Sequence, residues 1–192
     1  MPLSTLWTPL GAVLVVAVAA SAVSAQAPVA TPADDASRAE WSYFGGTTAF
    51  TRYAPLDQID RQNVANLRVL WRRPSIDPVF TQAFPELRPS AYLRSTPILV
   101  DGVLYASNAV GLVEAFDPGT GETIWMQRPL TPTLAGVAGR AAYGVAYWAD
   151  GADRRIFSLR NTHLYALDAE TGRPLPGFGA GGRVDLTPAG AR

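Results

Sequence analysis

Short alternating runs of apolar and polar residues fill most of this chain, and Gly, Pro and Asp punctuate them. The stretch 98–107, ILVDGVLYAS, is two β-rich runs joined by Asp101-Gly102. Asp-Gly is a strong hairpin signal, because Gly accepts the positive φ of a type I′ turn. Residues 112–116 and 123–126 predict two further strands joined at DPGTG, and 155–159 and 163–167 repeat the theme. One short helix is expected within 56–67, with Asp60 as N-cap and Val64 and Leu67 at helical spacing behind it. No amphipathic helix of three or more turns is predicted, so the pattern is that of an all-β chain.

The first stretch is different. Leu10 to Val23 form an apolar run of about fourteen residues, the length of a signal h-region and short for a membrane span. Small residues at Val23-Ser24-Ala25 suit a signal peptidase. A signal peptide over 1–25, cleavage after Ala25 and export to the periplasm are therefore expected, with an uncleaved anchor as the competing reading. The Pro- and Ala-rich stretch 26–40 is expected to link it to a folded part over 41–192.

Composition removes several function classes. Sixteen basic and sixteen acidic residues cancel, which gives no electrostatic footprint for nucleic acid. The chain has no Cys, so disulfides, thiolate metal sites and a Cys nucleophile are excluded. His163 is the single His and stands in an alternating strand pattern, where a packed or edge role is expected. GFGAGG at 177–182 matches G-x-G-x-x-G, but RVDLTPAG follows it and cannot supply the helix that a dinucleotide site needs. Arg72-Arg73 and Arg154-Arg155 are expected at solvated strand ends. Asp150 and Asp153 in DGAD are expected to form a turn and no calcium site.

One pattern occurs twice. Residues 115–125 are AFDPGTGETIW and 166–176 are ALDAETGRPLP. In each A-x-D-x-x-T-G turn the Ala allows close approach of a neighbouring sheet. Asp117 and Asp168 can accept backbone N–H groups across the turn. Thr120 and Thr171 can bond the same Asp, and Gly121 and Gly172 supply a positive φ. Trp125 follows the first Gly by four residues and can lie across the next sheet. Two copies at a period near fifty favour a repeat architecture of four-stranded blades.

At this point the sequence resembles the pyrroloquinoline quinone (PQQ) dependent alcohol and glucose dehydrogenases. Trp125 and its turn are similar to that family's tryptophan-docking motif. WSYFGGTTAFTRYAPLDQIDRQNVANLRVLW (41–71), STPILVDGVLY (95–105), GVAYW (144–148) and RRIFSLRNTHLYALDAETGRPLPGFGAGGRVDL (154–186) follow in the family's order. PGFGAGGRVDL resembles the glucose-dehydrogenase branch, where FG-x-x-G-x-VDL replaces a docking Trp, and this accounts for Pro176.

The resemblance implies a partial β-propeller, about two to three blades of an eight-bladed fold. It implies PQQ as cofactor, with Ca²⁺ polarising the quinone and its ligands in later blades outside this chain. It implies a small alcohol or sugar substrate, a quinone or cytochrome acceptor, and the remaining propeller blades as partners. It also implies that the chain alone is inactive and poorly soluble or partly folded. Two cofactor positions depart from the family. Arg94 stands where Glu or Gln often precedes S/A-T/A-P, and Tyr143 stands where Arg precedes G-x-A-Y-W, with Arg140 the nearest Arg. Arg94, Arg140 and Tyr143 are the expected cofactor contacts, Arg94 restoring the missing cation. The alternative is a non-catalytic propeller of the same repeat type that acts as a protein-binding scaffold.

Overall fold

The structure is a computed structural model that describes residues 40–54 and 58–190, and for 141–143 the backbone alone. The expected signal peptide and nearly all of the linker lie outside the described residues.

Among the described residues eight strands form two four-stranded sheets in which every neighbouring strand is antiparallel. The first sheet holds β1 (Ile98–Val100), β2 (Val103–Ser107), β3 (Val113–Phe116) and β4 (Thr123–Met126), in chain order. The second holds β5 (Ala141–Asp150), β6 (Asp153–Arg160), β7 (His163–Asp168) and β8 (Arg183–Asp185), again in chain order. The β1–β2 hairpin turns at Asp101 and Gly102, whose φ values of 49° and 76° are those of the expected type I′ turn.

Among the described residues helix is confined to short connectors, and a local side-chain cap sets each of the two α-helical ones. Pro78 opens α1 (Pro78–Ala83), and Asp77 caps it by accepting the Val79 N–H at 2.8 Å. Thr133 caps α2 (Leu134–Val137) through the Gly136 N–H. The segment expected to be helical near Asp60 is a single 3₁₀ turn, Val64–Asn66. Asp60 accepts the Gln62 and Asn63 N–H groups ahead of it, but the residue that flanks the turn is Asn63.

The two sheets stack face to face. Ile98, Val100, Tyr105, Val113 and Ala115 of the first pack on Val145, Ile156, Tyr165 and Leu167 of the second. Burying each such aliphatic side chain contributes about 1.5–3 kcal/mol. A smaller cluster of Ile76, Leu87, Val110, Leu112 and Val137 closes one end of the first sheet. The opposite face of the first sheet is covered by the segment around Trp71. The corresponding face of the second sheet leaves Trp148, Leu159 and Val184 exposed.

Candidate functional site

The repeated turn works as its residue types require. The Asp117 carboxylate accepts N–H groups from Gly119 (2.8 Å) and Thr120 (2.7 Å) and the Thr120 hydroxyl (3.1 Å). These bonds favour the ionised form and hold its pKa below the usual aspartate value, with Thr120 contributing most. In the second copy Asp168 accepts the Thr171 N–H (2.8 Å) and hydroxyl (2.6 Å). Gly121 and Gly172 take φ of +74° and +67°, and each sends its N–H back to the Asp carbonyl.

Trp125 lies across the second of these turns. Its indole N–H donates to the Ala169 carbonyl at 3.0 Å, and its six-membered ring covers Gly172. Tyr105 packs against the indole, 5.9 Å between centroids, and its hydroxyl donates to the same carbonyl at 3.3 Å. Burial is the main reason that the Tyr105 phenol is pushed up to about 12.

The same geometry appears once more, at a residue that the sequence did not single out. The Trp71 indole N–H donates to the Pro118 carbonyl at 2.9 Å, and its ring covers Gly121. In both cases the acceptor is the residue after the turn Asp and the covered Gly is the fourth after it. Val-Leu-Trp at 69–71 and Thr-Ile-Trp at 123–125 share a β-branched, aliphatic, indole sequence, which was the available signal.

Arg73 corrects the expectation of a solvated strand end. It pairs with the buried Glu114 carboxylate, bonds the Gly121 carbonyl and the Thr123 hydroxyl at 3.0 Å each, and stacks 4.4 Å from the Phe116 ring centroid. Burial pushes the Glu114 pKa up, against the downward pull of the Asn108 amide and Arg73. Arg72 is exposed, as expected.

The three expected cofactor contacts lie at the other end of the sheets. Arg94 is exposed in the loop before β1, and Arg140 is exposed just before β5, its N–H bonded to the Asn161 amide oxygen at 3.1 Å. Tyr143 is in β5, where the pairing register with β6 shifts between Ala141 and Val145. The two segments run close together: a Cβ at Gly144 would lie 3.3 Å from the Thr96 carbonyl oxygen. Behind them, among the described residues, two buried hydroxyls have no hydrogen-bond partner, Ser107 and Ser158. Ser107 is tied to the Arg94 loop, since its N–H donates to the Ser95 hydroxyl at 2.9 Å. Ser158 pairs in register with Val145. Neither Ser was singled out in the sequence.

The competing patterns resolve as turns and edges. GFGAGG is a turn that leads into β8 and not into a helix, with Phe178 packed on Phe157 at 5.7 Å. His163 begins β7 half-buried, beside the Thr162 hydroxyl. Asp150 and Asp153 close the β5–β6 hairpin, and Asp153 pairs with Arg155. Among the described residues no group of three or more His, Asp or Glu is placed to hold a metal ion.

Consecutive four-stranded antiparallel sheets, stacked face to face and locked by an indole over the next turn, define two blades of a β-propeller. Residues 41–191 match the family model for the glucose/ethanol/alcohol dehydrogenase PQQ β-propeller domain. The chain belongs to that family of PQQ-dependent dehydrogenases. Among curated relatives it is similar to the dehydrogenase subunit of a quinone alcohol dehydrogenase from Gluconobacter oxydans, 31% identical over 81% of this chain and 20% of the relative. It is also similar to a quinoprotein glucose dehydrogenase of the same organism, 30% identical over 82% of this chain and 21% of the relative. The crystal structure of the quinohemoprotein alcohol dehydrogenase from Comamonas testosteroni matches with a TM-score of 0.51 and 30% identity, over 70% of this chain and 18% of that one. The chain thus spans about a fifth of the length of these relatives.

Proposed function

We propose that this chain forms two blades of a periplasmic PQQ-dependent dehydrogenase that oxidises alcohols or aldose sugars and passes electrons to a quinone or a cytochrome. The observation that carries this is the close approach of Gly144 to Thr96, which sets the Arg94 and Tyr143 segments side by side at one end of the sheets. The residues there suit a flat cofactor with several carboxylates. Arg94 and Arg140 are exposed residues, and guanidinium is the side-chain group that binds carboxylates through two parallel N–H bonds. The Ser107 and Ser158 hydroxyls add donors that no protein group satisfies.

PQQ, when bound, supplies an ortho-quinone that accepts the hydride equivalent from the substrate carbon. The work of this chain is to bind and orient. Arg94 and Arg140 neutralise carboxylates, Tyr143 stands where the family carries Arg, and the packed seam between the sheets holds the segments that carry them. The Ca²⁺ ligands, the base that takes the substrate hydroxyl proton and the remaining blades are contributed from outside these residues.

Quenching of Trp fluorescence on titration of the full-length protein with PQQ tests this. Saturable quenching is expected, weakened about tenfold by Arg94→Gln and similarly by Arg140→Gln, the loss of one charge-assisted hydrogen bond each. A second reading, a non-catalytic scaffold of the same repeat, draws on Tyr143 standing in place of Arg. Absence of saturable quenching in the full-length protein that carries these blades would favour it and remove the first.

A further inference from the structure

We infer that Arg160 is the positioning residue for the segment that carries Arg140 and Tyr143. This rests on the cofactor reading above only for its consequence, since the geometry stands without it. Arg160 ends β6 and is 7% exposed. Its Nε donates to the Val110 carbonyl at 2.9 Å, and one Nη donates to the Gly136 and Val137 carbonyls at 3.1 and 2.7 Å. One guanidinium therefore joins three pieces of chain: the β2–β3 loop of the first blade, the last turn of α2 in the connection between blades, and the end of β6 in the second blade.

None of the bonds recorded for this buried guanidinium is to a carboxylate. Burial lowers its pKa, opposed by the neighbouring Tyr165 hydroxyl. A buried cation satisfied by backbone carbonyls is a directional device more than an electrostatic one, because its planar fork dictates where those carbonyls stand. Gly139 shows how closely the segment is fitted to it: a Cβ there would lie 2.5 Å from the guanidinium Nη2. The next residue, Arg140, is held by the Asn161 side chain, and Ala141 pairs in register with Arg160 itself. From Gly136 to Ala141 the connecting segment is thus moulded on the Arg160-Asn161 corner, and Tyr143 follows two residues later.

Hydrogen exchange on the 192-residue chain, compared with its Arg160→Lys and Arg160→Met variants, tests this. Lys keeps the charge but cannot span three carbonyls. In both variants the amides of 137–143 are expected to exchange about tenfold faster or more, with those of β7 unchanged. For PQQ binding by the full-length protein, read by Trp quenching, Kd is expected to rise about tenfold in Arg160→Lys, the cost of one lost charge-assisted bond. Where Arg160→Met does not fold, Arg160→Lys alone decides. Unchanged exchange over 137–143 in Arg160→Lys overturns the inference, as does faster exchange there with an unchanged Kd. If the full-length protein with Arg160 intact does not bind PQQ, the cofactor reading fails, and the exchange data still decide the role of Arg160.

Discussion

Gly172 lies beneath the indole of Trp125 so closely that a Cβ built on it would fall 2.3 Å from ring atom Cε3. The two residues belong to successive blades, so one missing methyl group sets the depth at which the blades dock. Gly172→Ala should cost about 2–4 kcal/mol, from overpacking and from an L-residue forced to positive φ. Trp125→Ala should cost about 3 kcal/mol. The double variant should cost less than the sum by about 1 kcal/mol or more, because the clash disappears with the ring. Urea unfolding of the four proteins measures this, and strict additivity would sink the claim of contact.

Trp71 should behave as the counterpart of Trp125 and not as a surface aromatic. It loses an edge-to-face contact with Phe116 and a hydrogen bond to Pro118 when truncated. Trp71→Ala should lower Tm by about 6–12 °C, the shift that about 3 kcal/mol produces in a domain of this size. A change within 1–2 °C of zero, the mark of a surface substitution, would show that the indole is not docked.

Tyr105 should titrate apart from the exposed tyrosines. With its pKa raised from 10.0 to about 12, its contribution to stability is complete below pH 10 and is lost as pH rises through about 12. An alkaline ultraviolet titration should show a late phenolate step that Tyr105→Phe removes. Loss of the bond to Ala169 in that variant should cost about 1 kcal/mol.

Glu114 has the opposite pH behaviour from an ordinary paired carboxylate. Its folded pKa is raised above the usual 4.5, so its stabilising contribution is full below pH 4.5 and is lost as pH rises through the raised value. Glu114→Gln, which imitates the protonated form, should therefore gain stability relative to the unaltered chain near neutrality, and the difference should shrink as pH falls below 4.5. A difference that grows on acidification would mean that the Arg73 pairing outweighs burial.

The face of the second sheet that carries Trp148 and Leu159 should drive self-association. Sedimentation of the chain is expected to show mass rising with concentration. Leu159→Lys should reduce that rise and leave Tm within about 1 °C, since the substitution is at an exposed position. Concentration-independent monomers would contradict it.

Much of the fold was legible because its signals are local. Asp101-Gly102 names its turn, and the paired A-x-D-x-x-T-G stretches name theirs, down to the bond between Thr171 and Asp168. The family likeness supplied the blade order, and the stacked sheets follow it. The missed features are those that depend on distant partners. Trp71 lacks the turn motif ahead of it, and what makes it a docking residue is Gly121, in a turn fifty residues later. Arg160 looks like a strand-end cation, and only the approach of Val110, Gly136 and Val137 makes it a clamp. Arg73 was misread for the same reason, since Glu114 and Phe116 are far along the chain. Ser107 and Ser158 carry no sequence signal, because an unsatisfied hydroxyl is defined by what fails to reach it.

Because each indole measures its distance to the next glycine directly, the wedge angle between neighbouring blades is fixed by a gauge carried within the pair itself. Lengthening by a single carbon at Gly172 should therefore open the angle between the two blades.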